Sequence, residues 1–386
     1  MMKIYDLLVI GGGISSCTLV SCLIEKGFKG NIAIIESGRG LGGRYSSRIR
    51  KEDKSWTLNH GAPNFNIINK SENKGLDDFI SKLLHLDLIE KDDSLFFEIE
   101  ENLKLNASIN NIFYEGDIYR SKDSISTLSK KILDLNIKNN SKVDLFFQTT
   151  IKKLVFNNKK WIISSTNGTV FSSNYLVCSS NLLLHNRSKS ILKTAEIPLR
   201  ESIKKNICNE FDEIINQVND QLYIKRMNFL IYTDEDYKYK EIFNKKNIHF
   251  LLTKNVEANI GFERIIFQKQ KNNCIGIIVH SKNFEALINE FDNLEKINIK
   301  KIILERFNHI FSDNCIINKL ENINHISIMR WRASQPKGIG VSRKYQLFEK
   351  YKLAFCGDWF DHDGFGRIEG AMISSIYLSD KIIDSI

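Results

Sequence analysis

The chain has 386 residues, 42% of them hydrophobic and 26% charged, with a formal net charge of +9. That composition excludes a disordered chain and suits a globular protein of two or three domains. No apolar run approaches the ~18–20 residues of a membrane span, and no zinc-finger, helix-turn-helix or RNP-like pattern points to nucleic acid, so neither is expected as a partner.

Lys3 to Ile10 are apolar and β-branched, the pattern of a buried parallel strand. A helix is predicted over Ile14 to Lys26, with Gly27 as its C-cap. A second strand follows and ends at Glu36. Within this βαβ unit, Gly11-Gly12-Gly13-Ile14-Ser15-Ser16 fills the G-x-G-x-x-G window of dinucleotide-binding folds. Gly11 permits the tight turn out of the strand, and Gly13 lets the backbone approach a pyrophosphate. The helix start, at Ile14 and Ser15, offers unpaired amides and a positive dipole end to the phosphates. Ser16 stands where Gly or Ala is usual; it is one oxygen larger than Ala and is expected to fit with a small adjustment. The carboxylate of Glu36 suits ribose hydroxyls and repels a 2′-phosphate, which disfavours NADP there.

Further along, Gly42-Gly43-Arg44 reads as a second backbone cradle with a guanidinium for the pyrophosphate. Asn59-His60-Gly61-Ala62 follows. A helix is expected over Ser124 to Leu135, then a β meander, KVDLFFQTTIKKLVFNN, KKWIISSTNG and TVFSSNYLVCSS, with turns at Asn157-Asn158 and Asn167-Gly168. Strands are predicted at His249–Thr253 and Cys274–His280, and helices at Phe284–Leu294 and Asn298–Phe311, with Asn298 as an N-cap. A strand from Lys352 to Cys356 runs into Gly357-Asp358, and a last helix opens near Arg367-Ile368-Glu369-Gly370-Ala371. The 7 cysteines include no C-x-x-C pair, and several sit in apolar runs. Buried reduced thiols and a reducing compartment are expected. With an N-terminus that passes directly into a strand, the expected location is cytoplasmic.

Taken together, these motifs resemble the FAD-dependent flavin amine oxidase superfamily and, within it, the renalase-like NAD(P)/FAD-dependent oxidoreductases. The narrower resemblance rests on GRGLGGRYSSR, NHGAPNF, the run Arg330-Trp331-Arg332-Ala333-Ser334-Gln335-Pro336 and the GDW…RIEGA ending. It is good over residues 1–66 and 325–386 and fair over about 117–182. It implies an α/β fold, with a Rossmann-like FAD-binding domain of glutathione-reductase type and a second, mixed α+β substrate domain. The FAD domain would comprise 1–66, 117–185 and 343–386, and the substrate domain 67–116 and 186–342. The resemblance also implies a role for each matching position. Gly11, Gly13 and Glu36 would hold pyrophosphate and adenosine ribose, and Arg44 would lie along the pyrophosphate or ribityl chain. Gly61 and Ala62 would belong to the flavin's wall. Ile151 would meet adenine through its backbone, and Asp358 the ribityl or phosphate oxygens. The amides of Ile368 and Glu369 would point at the flavin C2 carbonyl, where a helix start stabilises the charge of reduced flavin. No Cys or His stands in an attachment motif, so the FAD is expected to be non-covalent. The chain departs from the family pattern at Ser16, at Pro63-Asn64 and at Ser374-Ser375.

A flavin performs the redox step itself, which leaves orientation and electrostatics to the protein. His60 is a candidate catalytic residue facing the flavin, or a structural histidine bonded to backbone. Trp331 is a candidate for the substrate wall, with Arg330 or Arg332 meeting an anionic substrate; the alternative is a core tryptophan with solvated arginines. His249 and His280 read as structural histidines. Asp361-His362-Asp363 are three neighbours in a glycine-rich loop and do not converge on one ion, so no metal is expected. The function implied is an oxidase. It would take hydride from a small dihydronicotinamide-like or amine substrate to flavin N5 and pass the electrons to O2. The basic balance, spread over the chain, reads as a solvated surface or as a preference for an anionic nucleotide. Two alternatives stand beside this: a desaturase or amine oxidase acting on an apolar or amine substrate, and a catalytically silent flavin-binding interaction module.

Overall fold

The βαβ unit forms as strand Ile4–Ile10, helix Ile14–Glu25 and strand Ile32–Ile35. The computed structural model describes residues 3–50, 52–68, 73–107, 114–137, 142–233, 246–271, 274–312, 317 and 319–385. The first strand lies between two parallel neighbours, Ile32–Ile35 and Val170–Cys178. Both of its faces are covered, so a near-continuous apolar run is what this position demands. Val143–Phe146 extends the parallel sheet beyond Ile32–Ile35, and Leu353–Phe355 adds a parallel strand beside Val170–Cys178. The meander Ile151–Asn157, Lys160–Ser165 and Val170–Cys178 is antiparallel. Its first turn falls one residue later than expected, at Asn158-Lys159. Both have positive φ, 48° and 60°, as a two-residue hairpin of primed type requires.

Helices Ile14–Glu25, Lys74–His85, Ile125–Asp134 and Ile368–Ser385 cover one face of this sheet. The other face is covered by the meander, by helices between Arg187 and Asp220, and by the segment around Val341–Phe360. Leu76, Phe79, Ile80 and Leu83 recur at helical spacing and pack into the first core, as Phe211, Ile214, Ile215 and Val218 do into the second. Strand Ile89–Lys91 pairs with Asp117–Ser121. Residues 74–91 and 187–220, assigned from sequence to the substrate domain, therefore pack with the dinucleotide unit. Their apolar stripes have that sheet as their partner.

The second unit is a mixed sheet in the order His325–Lys337, Leu222–Tyr232, Ile275–Ser281, Arg264–Lys269, Ile248–Leu252, Leu95–Ile99 and Leu105–Asn106. Its outer face packs on helices Lys254–Ile260, Phe284–Phe291 and Lys296–Ile310. The last of these begins before Asn298, with Glu295 at the N-cap position and no side-chain cap bond. Its buried stripe of Ile299, Ile303, Phe307 and Ile310 sets the helix, and Asn298 lies within the first turn. Strand alternation sends Met227, Phe229 and Ile231 to this outer core and Leu230 and Tyr232 to the inner face. The inner face is clamped to the first unit. Asn59 N–H donates to Gln268 Oε1 (2.9 Å) and Thr57 N–H to Gln270 Oε1 (2.7 Å).

Cys17, Cys22, Cys178, Cys274 and Cys356 are buried thiols and Cys208 is half-buried; Cys315 lies outside the described residues. Among the described residues no helix is long and apolar enough to cross a membrane.

Candidate functional site

The glycine turn is built by its neighbours. Gly11 has φ +107°, and a Cβ there would lie 2.3 Å from Ser179 Oγ, so this position excludes any larger residue. Ser16 is buried, and its hydroxyl donates to the Gly11 carbonyl at 2.6 Å. The departure from Gly or Ala thus braces the turn instead of crowding it. Gly13 is the N-cap of the first helix, and a Cβ there would meet nothing within 4 Å. Its backbone borders open space, as close approach of a phosphate needs. The second glycine run lies alongside the first: Gly42 N–H donates to Gly12 O at 2.8 Å. Glu36 accepts from Gly12 N–H (2.6 Å) and Gly38 N–H (2.5 Å). It therefore locks the glycine turn as well as marking the end of the second strand.

These elements open onto one cavity of about 1590 Å³, larger than the ~300–1,000 Å³ of ordinary small-molecule sites. Gly11, Gly13, Ile14, Ser15, Glu36, Arg44, Gly61, Ala62, Ile151, Asp358 and Ile368 all line it, together with His60 and Trp331. Arg44 pairs with the buried Asp358 carboxylate at 2.6 Å and donates to Ser334 O at 3.2 Å. Gly61 is needed for close approach, because a Cβ there would lie 2.1 Å from Arg44 O. Ile151 opens the first meander strand at the cavity edge. The last helix begins at Ile368, and Ala371 N–H donates to Arg367 O. The amides of Ile368 and Glu369 precede that bond and belong to the free first turn. The Glu369 side chain is turned away, accepting from Ile68 N–H at 2.9 Å and pairing with Arg367 at 2.5 Å; any contact it makes with a ligand here is through backbone. The other departures from the family pattern are also satisfied. Ser375 bonds Ser15 (2.7 Å), Ser374 accepts from Gly357 N–H (2.7 Å), and Asn64 donates to Asp92 (2.7 Å).

The far wall of the cavity is the inner face of the second sheet. His60 stacks on Trp331, with ring centroids 5.7 Å apart, and its carbonyl accepts from Asn228 Nδ2 at 2.8 Å. Burial, reinforced by the nearby Arg48, lowers the His60 pKa to about 4, so its ring is neutral at pH 7. Its Nδ1 has no hydrogen-bond partner among the described residues. Arg332 does not join this wall: it is exposed and absent from the cavity lining. Strand alternation explains this: Met329, Trp331 and Ala333 line the cavity, and Arg330 and Arg332 between them fall on the opposite face. Arg330 pairs with Asp292, also outside the lining. The guanidiniums that do line the cavity here, Arg226 and Arg264, come from strands the sequence reading had not linked to Trp331. His280 lines the cavity, whereas His249 is packed against Phe96 and Tyr114. His362 Nδ1 contacts Asp363 O at 2.6 Å. Among the described residues no group of three or more His, Cys, Asp or Glu side chains is arranged to hold a metal.

A parallel sheet, a glycine turn opening a helix and an acid ending the next strand define a Rossmann-like dinucleotide-binding α/β unit, here joined to a mixed-sheet domain. Residues 9–83 match the family described as NAD(P)-binding Rossmann-like domain. Over 99% of each chain the fold is similar to a crystal structure from Exiguobacterium sp. 255-15 described as "Putative protoporphyrinogen oxidase", with a TM-score of 0.63 and 12% identity. The architecture is thus the flavin amine oxidase-like fold. No curated protein matches the sequence.

Proposed function

We propose that this chain is an FAD-dependent oxidoreductase that oxidises a small organic substrate between the dinucleotide cradle and the inner face of the second sheet. The observation that carries the reading is the continuity of one cavity from Glu36 and Gly13, past Arg44 and Asp358, to Ile368, His60 and Trp331. The lining continues well beyond the first βαβ unit, which suits an FAD with its flavin end at the second sheet. When bound, FAD supplies the two-electron acceptor and relay.

The chain's own groups bind and orient. Amides at Gly13 to Ser15 would receive the pyrophosphate, and Glu36 the adenosine ribose. Arg44, set by Asp358, carries positive charge along the chain of phosphates and ribityl oxygens. The first-turn amides of Ile368 and Glu369 would stabilise negative charge on the flavin. Trp331 and the neutral His60 form the wall that orients the substrate. The hydride donor would be a dihydronicotinamide-like or amine substrate, and O2 the final acceptor. An apolar tunnel, as a desaturase would need, finds no support in a wall that contains Arg226, Glu263, Arg264 and His280.

The test is anaerobic mixing of the FAD-loaded protein with reduced nicotinamides, misreduced isomers included, and with a panel of amines. Bleaching of the flavin by one of these donors, with recovery on admitting air, is expected. Bound FAD that only dithionite reduces would instead identify a silent flavin module.

A further inference from the structure

We infer that the inner face of the second sheet carries an anion subsite centred on Arg264, which takes a carboxylate or similar oxyanion group of the substrate. That the occupant is a redox substrate rests on the flavin reading above; the anion site itself does not.

Arg264 opens strand Arg264–Lys269 and lines the cavity. Its Nη1 donates to the Tyr114 hydroxyl (3.2 Å), and its Nη2 lies 2.9 Å from His280 Nδ1. A guanidinium only donates, so His280 accepts through Nδ1 and its ring is neutral. Burial, together with the Arg264 charge, lowers the His280 pKa well below the usual value. Neither partner therefore carries a countercharge. Among the described residues Arg264 makes no ion pair, and its Nε and His280 Nε2 have no acceptor.

The neighbouring charges fill the gap only in part: Glu263 acts on Arg264 from a distance, but its carboxylate is paired elsewhere. Arg226 takes Glu263 in a two-pronged pair (2.7 and 3.0 Å), and Lys282 shares the same carboxylate at 2.7 Å. Glu257 lies 3.9 Å from Lys282. Arg226 and Lys282 thus engage Glu263 and Glu257, and Arg264 is paired with neither. Glu98 stands across Leu251 from Arg264 on the same sheet and makes no ion pair with it. Elsewhere in the cavity Arg44 does have its carboxylate, Asp358. Arginine cannot shed its proton, and a sequestered guanidinium without an anion is costly. A ligand oxyanion is the missing complement, and a protonated amine is the wrong one.

The register also places this subsite. Asn228, His280 and Arg264 form one row across three adjacent strands, and Asn228 holds the His60 carbonyl. At the spacing of neighbouring strands, Arg264 stands about 10 Å along the sheet from Asn228. The substrate's acidic group is thus set well away from the His60–Trp331 wall.

Calorimetric titration of the purified full-length protein with benzoate and with its neutral isostere benzamide tests this. Benzoate should bind at least about tenfold tighter than benzamide. Arg264→Gln should weaken benzoate roughly 10- to 100-fold, as loss of charged hydrogen bonds implies, and Arg264→Lys should retain part of the affinity. Should the Gln variant fail to fold, the Lys variant and the benzoate–benzamide contrast decide. Failure of benzoate to bind, equal binding of the two probes, or wild-type benzoate affinity in Arg264→Gln would overturn the subsite. FAD content is read separately from absorption. An Arg264-dependent benzoate site on a protein that takes up no FAD would keep the subsite and remove the oxidoreductase reading.

Discussion

Gly13→Ser separates fold from cofactor. Gly13 sits at the N-cap of the first helix in extended conformation, and a Cβ there meets no protein atom within 4 Å. Serine is a better N-cap than glycine by a few tenths of a kcal/mol. The cofactor-free protein should therefore keep its melting temperature or gain slightly. The added Cβ and hydroxyl, however, occupy the space against which a pyrophosphate must lie. Displacing it from two backbone amides forfeits two charge-assisted hydrogen bonds, together about 3 kcal/mol or more, which is roughly a 100-fold loss of FAD affinity. The assay pairs thermal unfolding of apoprotein with FAD titration by flavin fluorescence quenching. Wild-type FAD affinity in a stable Gly13→Ser variant would refute the idea that the pyrophosphate passes here. Gly11→Ala is the contrasting case: with φ at +107° and Ser179 Oγ 2.3 Å from the new Cβ, it should destabilise the apoprotein itself.

Three further outcomes follow from the geometry. Ser16→Ala removes the buried bond to Gly11 O and should cost about 1 kcal/mol in urea unfolding; an unchanged midpoint would show that Ser16 is merely accommodated. Glu36→Ala frees the amides of Gly12 and Gly38. It should lower apoprotein stability by about 1–2 kcal/mol as well as FAD affinity, whereas a loss of affinity alone would limit Glu36 to the ribose. His60 is held neutral when folded, with its pKa lowered from 6.5 to about 4. The unfolded chain takes up a proton below its ordinary value, so stability falls as pH drops from about 6.5 towards 4, by about 3 kcal/mol at the lower end. His60→Gln should flatten that part of the unfolding pH profile, and an identical profile in the variant would assign the effect to other buried histidines such as His249 and His280.

Local signals carried the dinucleotide half of the site. The turn, the helix start and Glu36 fall within one short βαβ unit, where each residue type has a single physical reason. The bracing of Gly11 by Ser16 was not legible, because a hydroxyl's partner depends on backbone direction. The stripe Leu76, Phe79, Ile80 and Leu83 shows that a helix needs a partner without saying which sheet provides it. Arg332 adjoins Trp331 in the sequence, but a strand turns adjacent residues to opposite faces, so Trp331 lines the cavity and Arg332 does not. Arg264, His280 and Tyr114 lie on separate segments and meet only through sheet register and chain crossing. No local pattern marks such a cluster; an arginine opening a strand with an apolar middle, RIIFQK, is no more than a weak hint.

The central claim is that the cradle from Glu36 to Ile368 holds FAD. The most direct measurement is the absorption spectrum of the purified protein, with acid release and mass determination of any chromophore. A flavin spectrum with about one FAD released per chain, or restored by added FAD, is the expected result. A folded but colourless protein that takes up no added FAD would contradict the account and leave a dinucleotide-binding fold with another ligand.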